Sequence, residues 1–438
     1  MKTNMKISKT FSWIALITTM GLIAILSSCK KEDNNEKVTP SERQLYVFSV
    51  PGVGFSVGCP TLVNNFIYIG TSVNLTYLPS TSNYFYKLDE TLNKIWEYPL
   101  GNKQLRGAAS LDNLGNIYFV VDSGRTEAFG NAPIKLYSLD NNGNYLWSKD
   151  IGNFDITHGM RSLAIAEDNT IYVSGDKFFA FDINGTIKWT YDNSFASASN
   201  SAPIIDPDGN IYFCANHWVF SLDKDENERW LFQSGDIGNS LSSPAFSTDY
   251  SHVIIAEWKS IYSRETSTGN LSWKYTFDMN ADFRATPAVD DNNIIYIGSH
   301  GMGGEKDEST LYALKADGSG ILWQNNLGSD FYSSPTLGND RVLYVGSEGH
   351  GNTSDKQNRI HAFNMTNGNI LWSAQLHNDV SWGSPVLSNN GILYVTTAYI
   401  DGKEPSGLYG FRTNATGLLP NCGSPTFHLS NAHNGRRQ

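Results

Sequence analysis

Apolar residues along this chain occur in short alternating runs separated by turns rich in Asn, Asp and Gly, and the whole pattern repeats. One unit opens with the run APII and continues through a turn to NIYFC and VFSLD. A hairpin turn and a run that carries tryptophan complete the unit. Period-two alternation between tight turns is typical of β-strands. Each unit is therefore predicted to be four short antiparallel strands.

Tryptophan marks the same place in seven of these units, at intervals that are typical of propeller blades. The marking residues are Trp96, Trp147, Trp189, Trp230, Trp273, Trp323 and Trp372. In the clearest copies the tryptophan stands four residues after a turn glycine, as Trp372 does after Gly368. One unit cannot bury both faces of its sheet, so the units must stack, and a closed ring leaves only short edges.

An eighth unit begins at SPVLSNNGILYVTT but lacks its tryptophan strand, because Asn421 stands where the tryptophan is expected. A run near the front of the chain, RQLYVFSVPGVGFSVGCP, has the missing pattern, with Tyr46 in the tryptophan place. Tyr46 and Trp230 are each followed by a proline after 14 residues. Residues 43–411 are therefore predicted to form an all-β, eight-bladed propeller of four-stranded antiparallel blades, whose last blade is closed by the N-terminal strand.

Composition and charge narrow the possible partners. The 438-residue chain is 40% hydrophobic, enough for a large core, and its net charge is −11. Without the leading segment that carries Lys2, Lys6 and Lys9, the charge becomes −14 (−11 − 3). An acidic protein repels phosphate backbones, which argues against nucleic acid as a partner.

The N-terminus has the pattern of an export signal. Three lysines precede the apolar run FSWIALITTMGLIAIL, which ends in LSSC at Cys29. This end resembles a bacterial lipobox, so residues 1–28 are predicted to be a lipoprotein signal peptide and Cys29 the lipid anchor. An uncleaved transmembrane anchor is the alternative. Residues 29–42 are predicted to be a flexible tether. Their CKKEDNNE opening resembles a surface-export signal, so the periplasmic face of the outer membrane and the cell surface both stay open.

The remaining cysteines number three. Cys214 lies inside an apolar run and is interpreted as a buried thiol. Cys59 and Cys422 could form a disulfide in an oxidising compartment and tie the two ends of the ring together.

The units ending AFNMTNGNILW and SRETSTGNLSW resemble the tryptophan-docking pattern of the PQQ-like β-propeller family, and the resemblance covers nearly all of the chain after the tether. It implies that the seven tryptophans, with Tyr46, brace neighbouring blades. In one branch of the family, quinoprotein dehydrogenases bind pyrroloquinoline quinone and calcium. In the BamB-like lipoprotein branch there is no cofactor, and the protein is a scaffold for outer-membrane protein insertion.

Two features bear on the choice of branch. The chain has no pair of adjacent cysteines of the kind that the alcohol dehydrogenases carry, which favours the lipoprotein branch with no cofactor and no metal. Residues 412–438 form a C-terminal tail. Its SPTFHLSNAHNGRR segment resembles one at the ends of some chains of the family, and it is predicted to pack against the ring.

Residues in the connections between blades are the candidate binding face. They include arginines and aromatics that could hold an anionic or sugar-like partner; local packing and pairing with Asp is the alternative. These residues are Arg106, His158, Arg161, Phe283, Arg284, Phe331, Tyr332 and Trp382. The loops between the two middle strands are long in blades 6, 7, 8, 1 and 2, which predicts a one-sided binding crescent.

Two segments contain residues that could bind a metal. His300, Glu305, Asp307, Glu348 and His350 could bind a metal together, but no known ligand spacing supports that. The segment DKDENE is better interpreted as a hairpin.

The chain also lacks a nucleophile elbow, a His-Glu-x-x-His motif and a phosphate loop. We therefore expect a non-catalytic, lipid-anchored and monomeric propeller that binds a surface or outer-membrane protein, or a glycan. A propeller enzyme acting on sugars or alcohols is the alternative.

Overall fold

The computed structural model describes residues 43–51, 53–55, 58–72, 83–105, 107–122, 132–154, 162–192, 201–215, 217–234, 242–278, 281–301, 309–349, 358–376, 383–398 and 406–437. Within these ranges the chain forms 34 strands and one short 3-10 turn. The strands make eight antiparallel sheets, which are the blades of an eight-bladed propeller. The predicted fold class is thus confirmed.

The first strand of the chain belongs to the last blade. Strand β1 (Gln44–Ser49) pairs antiparallel with the last strand, β34 (Gly407–Arg412), with Tyr46 opposite Gly410. Because this outer strand of blade 8 comes from the other end of the chain, the ring is closed by hydrogen bonds between its two ends, as the sequence predicts.

Blades 1 to 4 follow chain order from the ring axis outward. Blade 2 has an additional two-residue strand that pairs with the far end of its first long strand, Ile117–Asp122. The strands of blade 1 are β2 (Thr61–Val63), β3 (Phe66–Gly70), β4 (Asn83–Asp89) and β5 (Lys94–Gly101). Those of blade 2 are β6 (Gln104–Leu105), β7 (Ser110–Leu111), β8 (Ile117–Asp122), β9 (Ala132–Leu139) and β10 (Tyr145–Phe154). Those of blade 3 are β11 (Ala164–Ile165), β12 (Ile171–Ser174), β13 (Phe178–Phe181) and β14 (Ile187–Tyr191). Those of blade 4 are β15 (Ile204–Ile205), β16 (Ile211–Ala215), β17 (Trp218–Leu222) and β18 (Glu228–Gln233).

Blades 5 to 8 repeat the arrangement, and blade 6 again has an additional short strand. The strands of blade 5 are β19 (Ala245–Phe246), β20 (His252–Glu257), β21 (Ser260–Glu265) and β22 (Leu271–Thr276). Those of blade 6 are β23 (Ala281–Phe283), β24 (Ala288–Val289), β25 (Ile295–Gly301), β26 (Thr310–Leu314) and β27 (Ile321–Asn326). Those of blade 7 are β28 (Thr336–Leu337), β29 (Val342–Ser347), β30 (Arg359–Asn364) and β31 (Ile370–Gln375). Blade 8 consists of β32 (Val386–Leu387), β33 (Ile392–Thr396), β34 and β1.

The core lies between the blades, where apolar side chains of one sheet pack on those of the next. Phe85 of blade 1 stacks on Phe119 of blade 2 with ring centroids 4.3 Å apart. Phe178 of blade 3 stacks in the same way on Phe213 of blade 4 at 4.1 Å. Both faces of each blade are thus buried, which explains why the middle strands are continuous apolar runs.

The repeated tryptophans lie against the hairpin turn of the following blade. A β-carbon added at Gly368 would lie 2.4 Å from Trp323 Cε3, and five of the tryptophans meet a turn glycine in this way. The pairs are Trp96 with Gly143, Trp147 with Gly185, Trp230 with Gly269, Trp273 with Gly318, and Trp323 with Gly368. In five blades the indole nitrogen also donates a hydrogen bond to a backbone oxygen of that turn. The pairs are Trp96 with Asn141, Trp147 with Ile183, Trp189 with Lys224, Trp230 with Thr266, and Trp323 with Met365.

The two other braces sit where the ring closes. The ring of Trp372 lies 6.4 Å from that of Phe411 in blade 8 and packs into the cluster between blades 7 and 8. Tyr46 packs into the cluster between blades 8 and 1. Each brace thus lies between two blades.

A β-bulge interrupts every outer strand directly before the brace residue. In β31, for example, Trp372 pairs with Ala362 and Ile370 pairs with Phe363, so Leu371 is the extra residue. The same one-residue shift precedes the brace in all eight blades. Bulges increase local twist and turn an edge strand away from strand addition.

A belt of hydroxyl groups joins the blades just before their inner strands. In five consecutive steps a backbone N–H of one blade donates to the side chain at the equivalent place in the next. The donor and acceptor residues are Ala202 with Ser243, Ser243 with Thr286, Thr286 with Ser334, Ser334 with Ser384, and Ser384 with Cys59.

Cys59 has a place in this belt as a buried acceptor, and no disulfide joins it to Cys422. Cys422 lies in a separate cluster between blades 6 and 7. Burial raises the pKa of the Cys59 thiol to about 11 and that of Cys422 to about 12. The disulfide between Cys59 and Cys422 that the sequence allowed is therefore not formed, because the two thiols lie in different parts of the core.

Candidate functional site

The loop face of the propeller is the face that carries the blade-to-blade connections and the loops between the two middle strands. Three middle-strand loops are short: three residues separate β12 from β13, two separate β16 from β17, and two separate β20 from β21. The other five contain 12, 9, 8, 11 and 10 residues in blades 1, 2, 6, 7 and 8. Long loops therefore occupy five adjacent blades, as the sequence analysis expects.

Four of the predicted face residues, Arg106, His158, Arg161 and Trp382, lie outside the described residues. The other four lie on blade 6 and on the connection from blade 6 to blade 7. Two of these are core residues: Phe283 is 1% exposed and Phe331 is 0% exposed. Phe283 packs on Phe277, with ring centroids 4.9 Å apart, and on Tyr312. The expectation that Phe283 and Phe331 present a binding surface is corrected, because both rings fill space between blades.

Arg284 and Tyr332 come together on the loop face, 48 residues apart in the chain. Arg284 Nη1 donates to Tyr332 Oη at 3.3 Å, and its guanidinium carbon lies 5.4 Å from the Tyr332 ring centroid. Arg284 Nε also bonds both oxygens of Asp282 at 3.2 Å. The arginine is held by a carboxylate on one side and an aromatic ring on the other, an arrangement that fixes its direction.

His300 extends this group into the space between the blades. Its Nδ1 lies 3.0 Å from Asp282 Oδ1, its Nε2 lies 3.6 Å from Asp330 Oδ2, and its ring centroid is 4.6 Å from that of Tyr332. Strand β23 creates the first contact, because it pairs Asp282 with His300. His300 is one of the predicted metal candidates, whereas Asp282 and Asp330 belong to no motif and gave no signal in the sequence.

Asp330 is the most deeply buried residue of the group around His300 and Arg284. Asp330 is 1% exposed, and its Oδ1 accepts hydrogen bonds from the Gly301 N–H at 2.8 Å and from the Ser309 hydroxyl. Tyr332 is 9% exposed, and desolvation raises its pKa above the usual tyrosine range. Tyr332 therefore stays a neutral phenol at neutral pH. The outer end is more open, since the Arg284 side chain is 29% exposed.

This loop-face cluster (Asp282, Arg284, His300, Asp330 and Tyr332) could hold a polar or anionic group through the guanidinium. Of the five residues considered for a metal, Glu305, Asp307 and His350 lie outside the described residues. Among the residues that are described, no group of three or more His, Cys, Asp or Glu is arranged to hold a metal ion. The DKDENE segment is a hairpin turn, in which Asp223 Oδ1 accepts the N–H groups of Asp225 and Asn227 at 2.9 Å.

The C-terminal tail packs against the ring, as predicted, and the structure shows where it lies. It lies along the inner edges of the blades and makes a hydrogen bond to the inner strand of every blade. The bonded groups, from blade 1 to blade 8, are Leu62 N–H with Asn431 O, Ser110 Oγ–H with His433 O, Ile165 N–H with Asn434 O, Ile205 N–H with Gly435 O, Phe246 N–H with Ser424 Oγ, Val289 N–H with Ser424 O, Leu337 N–H with Pro425 O, and Leu387 N–H with Asn431 Oδ1. Buried N–H groups are costly without acceptors, so the tail completes the inner edge of the ring.

The middle of the tail reaches the level of the hydroxyl belt. Phe427 is 1% exposed and packs with Cys59, Ala108 and Ala202, which come from blades 1, 2 and 4. His433 Nε2 lies 3.0 Å from Pro60 O, and His428 Nε2 lies 2.6 Å from Pro203 O. Burial lowers the pKa of His428 to about 3 and that of His433 to about 4, so both are neutral at pH 7.

A cavity of about 1100 Å³ lies beside the tail on the opposite face, where the hairpins between first and second strands are found. Its lining is rich in side-chain amides and includes Asn64, Asn65, Asn389 and Asn421. These four residues are exposed. Amides both donate and accept hydrogen bonds, so this cavity suits a neutral polar ligand.

No helix in the described part of the chain is long and apolar enough to cross a membrane. The predicted signal peptide, the tether and Cys29 lie outside the described residues.

Comparison with known proteins gives one family. A family model described as outer membrane protein assembly factor BamB matches residues 58–275 and 257–403. No curated protein sequence matches the chain. Among solved structures, BamB from Moraxella catarrhalis is 15% identical with a TM-score of 0.57, covering 84% of this chain and 99% of its own. A europium-containing methanol dehydrogenase is 13% identical with a TM-score of 0.61, covering 83% of this chain and 85% of its own. At these identities the two structures share the fold.

Proposed function

The chain belongs to the PQQ-repeat propeller family whose model is described as outer membrane protein assembly factor BamB, and from this membership we propose that it is a non-catalytic scaffold. In this proposal the chain is anchored by lipid at Cys29 and binds another protein at the outer membrane through its loop face.

One observation supports the proposal most strongly: the uneven distribution of loop length. Five adjacent blades carry middle-strand loops of 8 to 12 residues, and the other three carry loops of two or three. Function concentrates in loops that a rigid frame positions. A long arc on one side of a ring suits a macromolecule that covers several blades at once.

The tail supports the same conclusion. From the hairpin face up to Phe427, the chain's own C-terminal segment occupies the inner edges of the blades. A reactant of small size is usually bound in a concave, enclosed site. Because the tail occupies the inner edges of the blades, we assign the macromolecular partner to the loop face, where Arg284 is fixed beside Tyr332.

Capture from native membranes tests the proposal. The tagged chain is cross-linked in whole cells, purified from the membrane fraction and analysed by mass spectrometry. We expect an outer-membrane barrel protein to be recovered with the parent chain and to be reduced in Arg284→Ala. Lys177→Ala is the matched control, because Lys177 is a partly exposed cation on the short loop of blade 3. Equal recovery in both variants, or no barrel protein, would contradict the proposal.

An enzymatic role is the second candidate, favoured by the fold shared with a methanol dehydrogenase. Dye-linked oxidation of alcohols or sugars after addition of pyrroloquinoline quinone and calcium would support it and refute the scaffold. A glycan is the alternative partner, for which the amide-lined cavity is the suited surface. Titration with neutral oligosaccharides, with Asn421→Ala as the perturbed variant, separates that possibility from protein binding.

A further inference from the structure

A tyrosine of the repeat fills the space beside the brace tryptophan in most blades. It is the second-strand residue that pairs with the first residue of the inner strand, as Tyr212 pairs with Ile204. In six blades its ring centroid lies 5.6–6.4 Å from that of the indole. The pairs are Tyr68 with Trp96, Tyr118 with Trp147, Tyr172 with Trp189, Tyr212 with Trp230, Tyr296 with Trp323, and Tyr344 with Trp372. Blade 8 has Tyr394 at the same position.

The hydroxyl of this tyrosine also has regular partners. In four blades it donates to an aspartate of the hairpin between the first and second strands. The pairs are Tyr118 with Asp112, Tyr212 with Asp206, Tyr296 with Asp290, and Tyr344 with Asp340. In blades 4 and 6 the hydroxyl also lies within 3.5 Å of Thr266 O and Met365 O, the carbonyls that accept the indole N–H. The repeat therefore contains a place for one phenol between adjacent blades.

Blade 5 is the exception to this arrangement. Ile254 has the tyrosine position and pairs with Ala245, and Ser247 begins the hairpin. Trp273 is the brace of this blade, and its Nε1 donates to no described residue. A cavity of about 340 Å³ lies here between blades 5 and 6, lined by Ile254, Trp273 and Ala316 of the blade 6 turn. This volume is within the range of about 300–1,000 Å³ that is typical of small-ligand sites.

The lining of this cavity includes polar groups that the fold does not use. Ser263 is 2% exposed, and its hydroxyl bonds no described residue. Asp249 Oδ1 accepts the hydroxyls of Ser247 and Ser251 at 2.7 Å, while Oδ2 has no partner in the described part of the chain. Because Ser251 gives its one hydroxyl hydrogen to Asp249, its 2.7 Å contact with His252 Nδ1 has the imidazole as donor. His252 Nε2 is then left as an acceptor.

The charge of the lining limits the kinds of ligand that the cavity can take. Its charged side chains are Asp249 and Asp317, and both are exposed. Hydrogen bonds from the Ser251 and Ser247 hydroxyls lower the pKa of Asp249 to about 2. The Ser319 N–H lowers the pKa of Asp317 in the same direction. Both carboxylates are therefore ionised at neutral pH and repel a ligand that carries a negative charge.

We propose that the cavity between blades 5 and 6 binds an uncharged phenol, an aromatic ring that carries a hydroxyl group. The other blades hold a phenol at the equivalent place, and a cavity left by a missing ring can accept a ligand of the same shape. A phenol hydroxyl both accepts and donates hydrogen bonds, which matches the Trp273 indole N–H on one side and the acceptors Asp249 and His252 on the other. The ligand is a small phenol or the tyrosine side chain of another protein, since both supply this chemistry. The site lies on the hairpin face and is independent of the role proposed for the loop face.

Titration calorimetry of the full-length chain with p-cresol tests the proposal. Ile254→Tyr restores the residue of the repeat and fills the cavity with the chain's own phenol. Leu271→Tyr is the matched control, because it adds the same side chain to the same blade at a position that is 49% exposed. Trp273→Phe keeps an aromatic ring and removes the indole N–H. Circular dichroism and thermal melting verify the fold of each variant.

We expect p-cresol to bind at one site per chain in the parent and in Leu271→Tyr, and not to bind Ile254→Tyr. Trp273→Phe should weaken binding about two- to tenfold, as the loss of one hydrogen bond does. Toluene, which lacks the hydroxyl, and 4-hydroxybenzoate, which carries a negative charge, should bind more weakly than p-cresol. The proposal is overturned by absence of saturable binding, by undiminished binding to a folded Ile254→Tyr, or by equal binding of toluene or 4-hydroxybenzoate. If Ile254→Tyr does not fold, undiminished binding to Trp273→Phe overturns it.

The two sources of the phenol are separated by a second ligand, N-acetyltyrosine amide. Binding of this amide at least as tight as that of p-cresol supports the proposal with a tyrosine side chain as the ligand. Binding of p-cresol alone supports it with a small free phenol. The capture experiment tests the loop face through Arg284, so the failure of either proposal leaves the other standing.

Discussion

The contact between a brace tryptophan and the next blade's turn glycine can be tested at Gly368. This residue has φ +70°, and a β-carbon there would lie 2.4 Å from Trp323 Cε3 and 2.7 Å from Cδ2. The indole of Trp323 cannot easily move away from the added β-carbon, because its Nε1 donates a hydrogen bond to Met365 O at 2.8 Å in the same turn. Gly368→Ala therefore combines backbone strain with a clash between blades 6 and 7.

The two costs can be separated by a matched control. Gly101 has φ +67° and nothing within 4 Å of its added β-carbon, so Gly101→Ala carries the backbone strain alone. A left-handed conformation costs a non-glycine residue about 1–2 kcal/mol, partly offset by the entropy that glycine loses on folding. Overpacking against a held ring adds about 1–3 kcal/mol. We expect Gly368→Ala to lower the free energy of unfolding by about 1–3 kcal/mol more than Gly101→Ala does.

Urea unfolding followed by far-ultraviolet circular dichroism measures both losses. A double-mutant cycle strengthens the test, because in a Trp323→Leu background the clash is relieved and Gly368→Ala should cost no more than Gly101→Ala. The reasoning is refuted if the two glycine variants lose equal stability, or if Trp323→Leu leaves the cost at Gly368 unchanged. Either result would mean that the tryptophan does not brace the turn.

Four further outcomes are expected, each measured by thermal or urea unfolding. Deletion of residues 43–50 should lower the melting temperature of the whole ring, because β1 completes blade 8; unchanged melting would refute ring closure by this strand. Trp372→Ala should cost somewhat less than the about 3–5 kcal/mol of a fully buried tryptophan, because the ring is partly buried, and unchanged stability would argue against a packing role. Truncation of residues 418–438 should destabilise all blades together, because the tail bonds every inner strand; local loss alone would contradict this. Burial lowers the pKa of His428 to about 3 and that of His433 to about 4 in the folded chain. In the unfolded chain both histidines take up a proton below about pH 6.5. The free energy of unfolding should therefore be highest above about pH 6.5 and fall as the pH is lowered toward 4. Replacing both histidines by glutamine should flatten that slope, and an unaltered slope would exclude them as its cause.

Features of the repeat could be predicted from sequence because they depend on neighbours in the chain. Turn pairs such as Asn367-Gly368 need a positive φ that the residue types themselves supply, and Gly368 has φ +70°. The place of Tyr46 followed from spacing alone, since a strand that matches the repeat must pair where a strand is missing. The long loops of five blades were also visible as insertions between recognisable strands.

Residues outside the repeat were harder to place, and the errors have a common cause. Phe283 ends the short strand β23 and Phe331 lies in a connection; both were expected at the surface, but both are buried between blades. Asp282 and Asp330 were overlooked although they flank His300. The orientation of a loop side chain depends on the twist between blades, which period and composition do not encode.

The sequence by itself therefore determined the class of fold, the eight units, the strand order within a blade and the closure of blade 8 by β1. Each of these is a property of local alternation, turn chemistry and spacing. Only the tertiary structure decided where the tail lies, that Cys59 joins a hydroxyl belt rather than a disulfide, and that Arg284 meets Tyr332. The inner strands that the tail hydrogen-bonds come together only when eight separate blades have closed around one axis. A pattern along the sequence does not contain the distances between those strands.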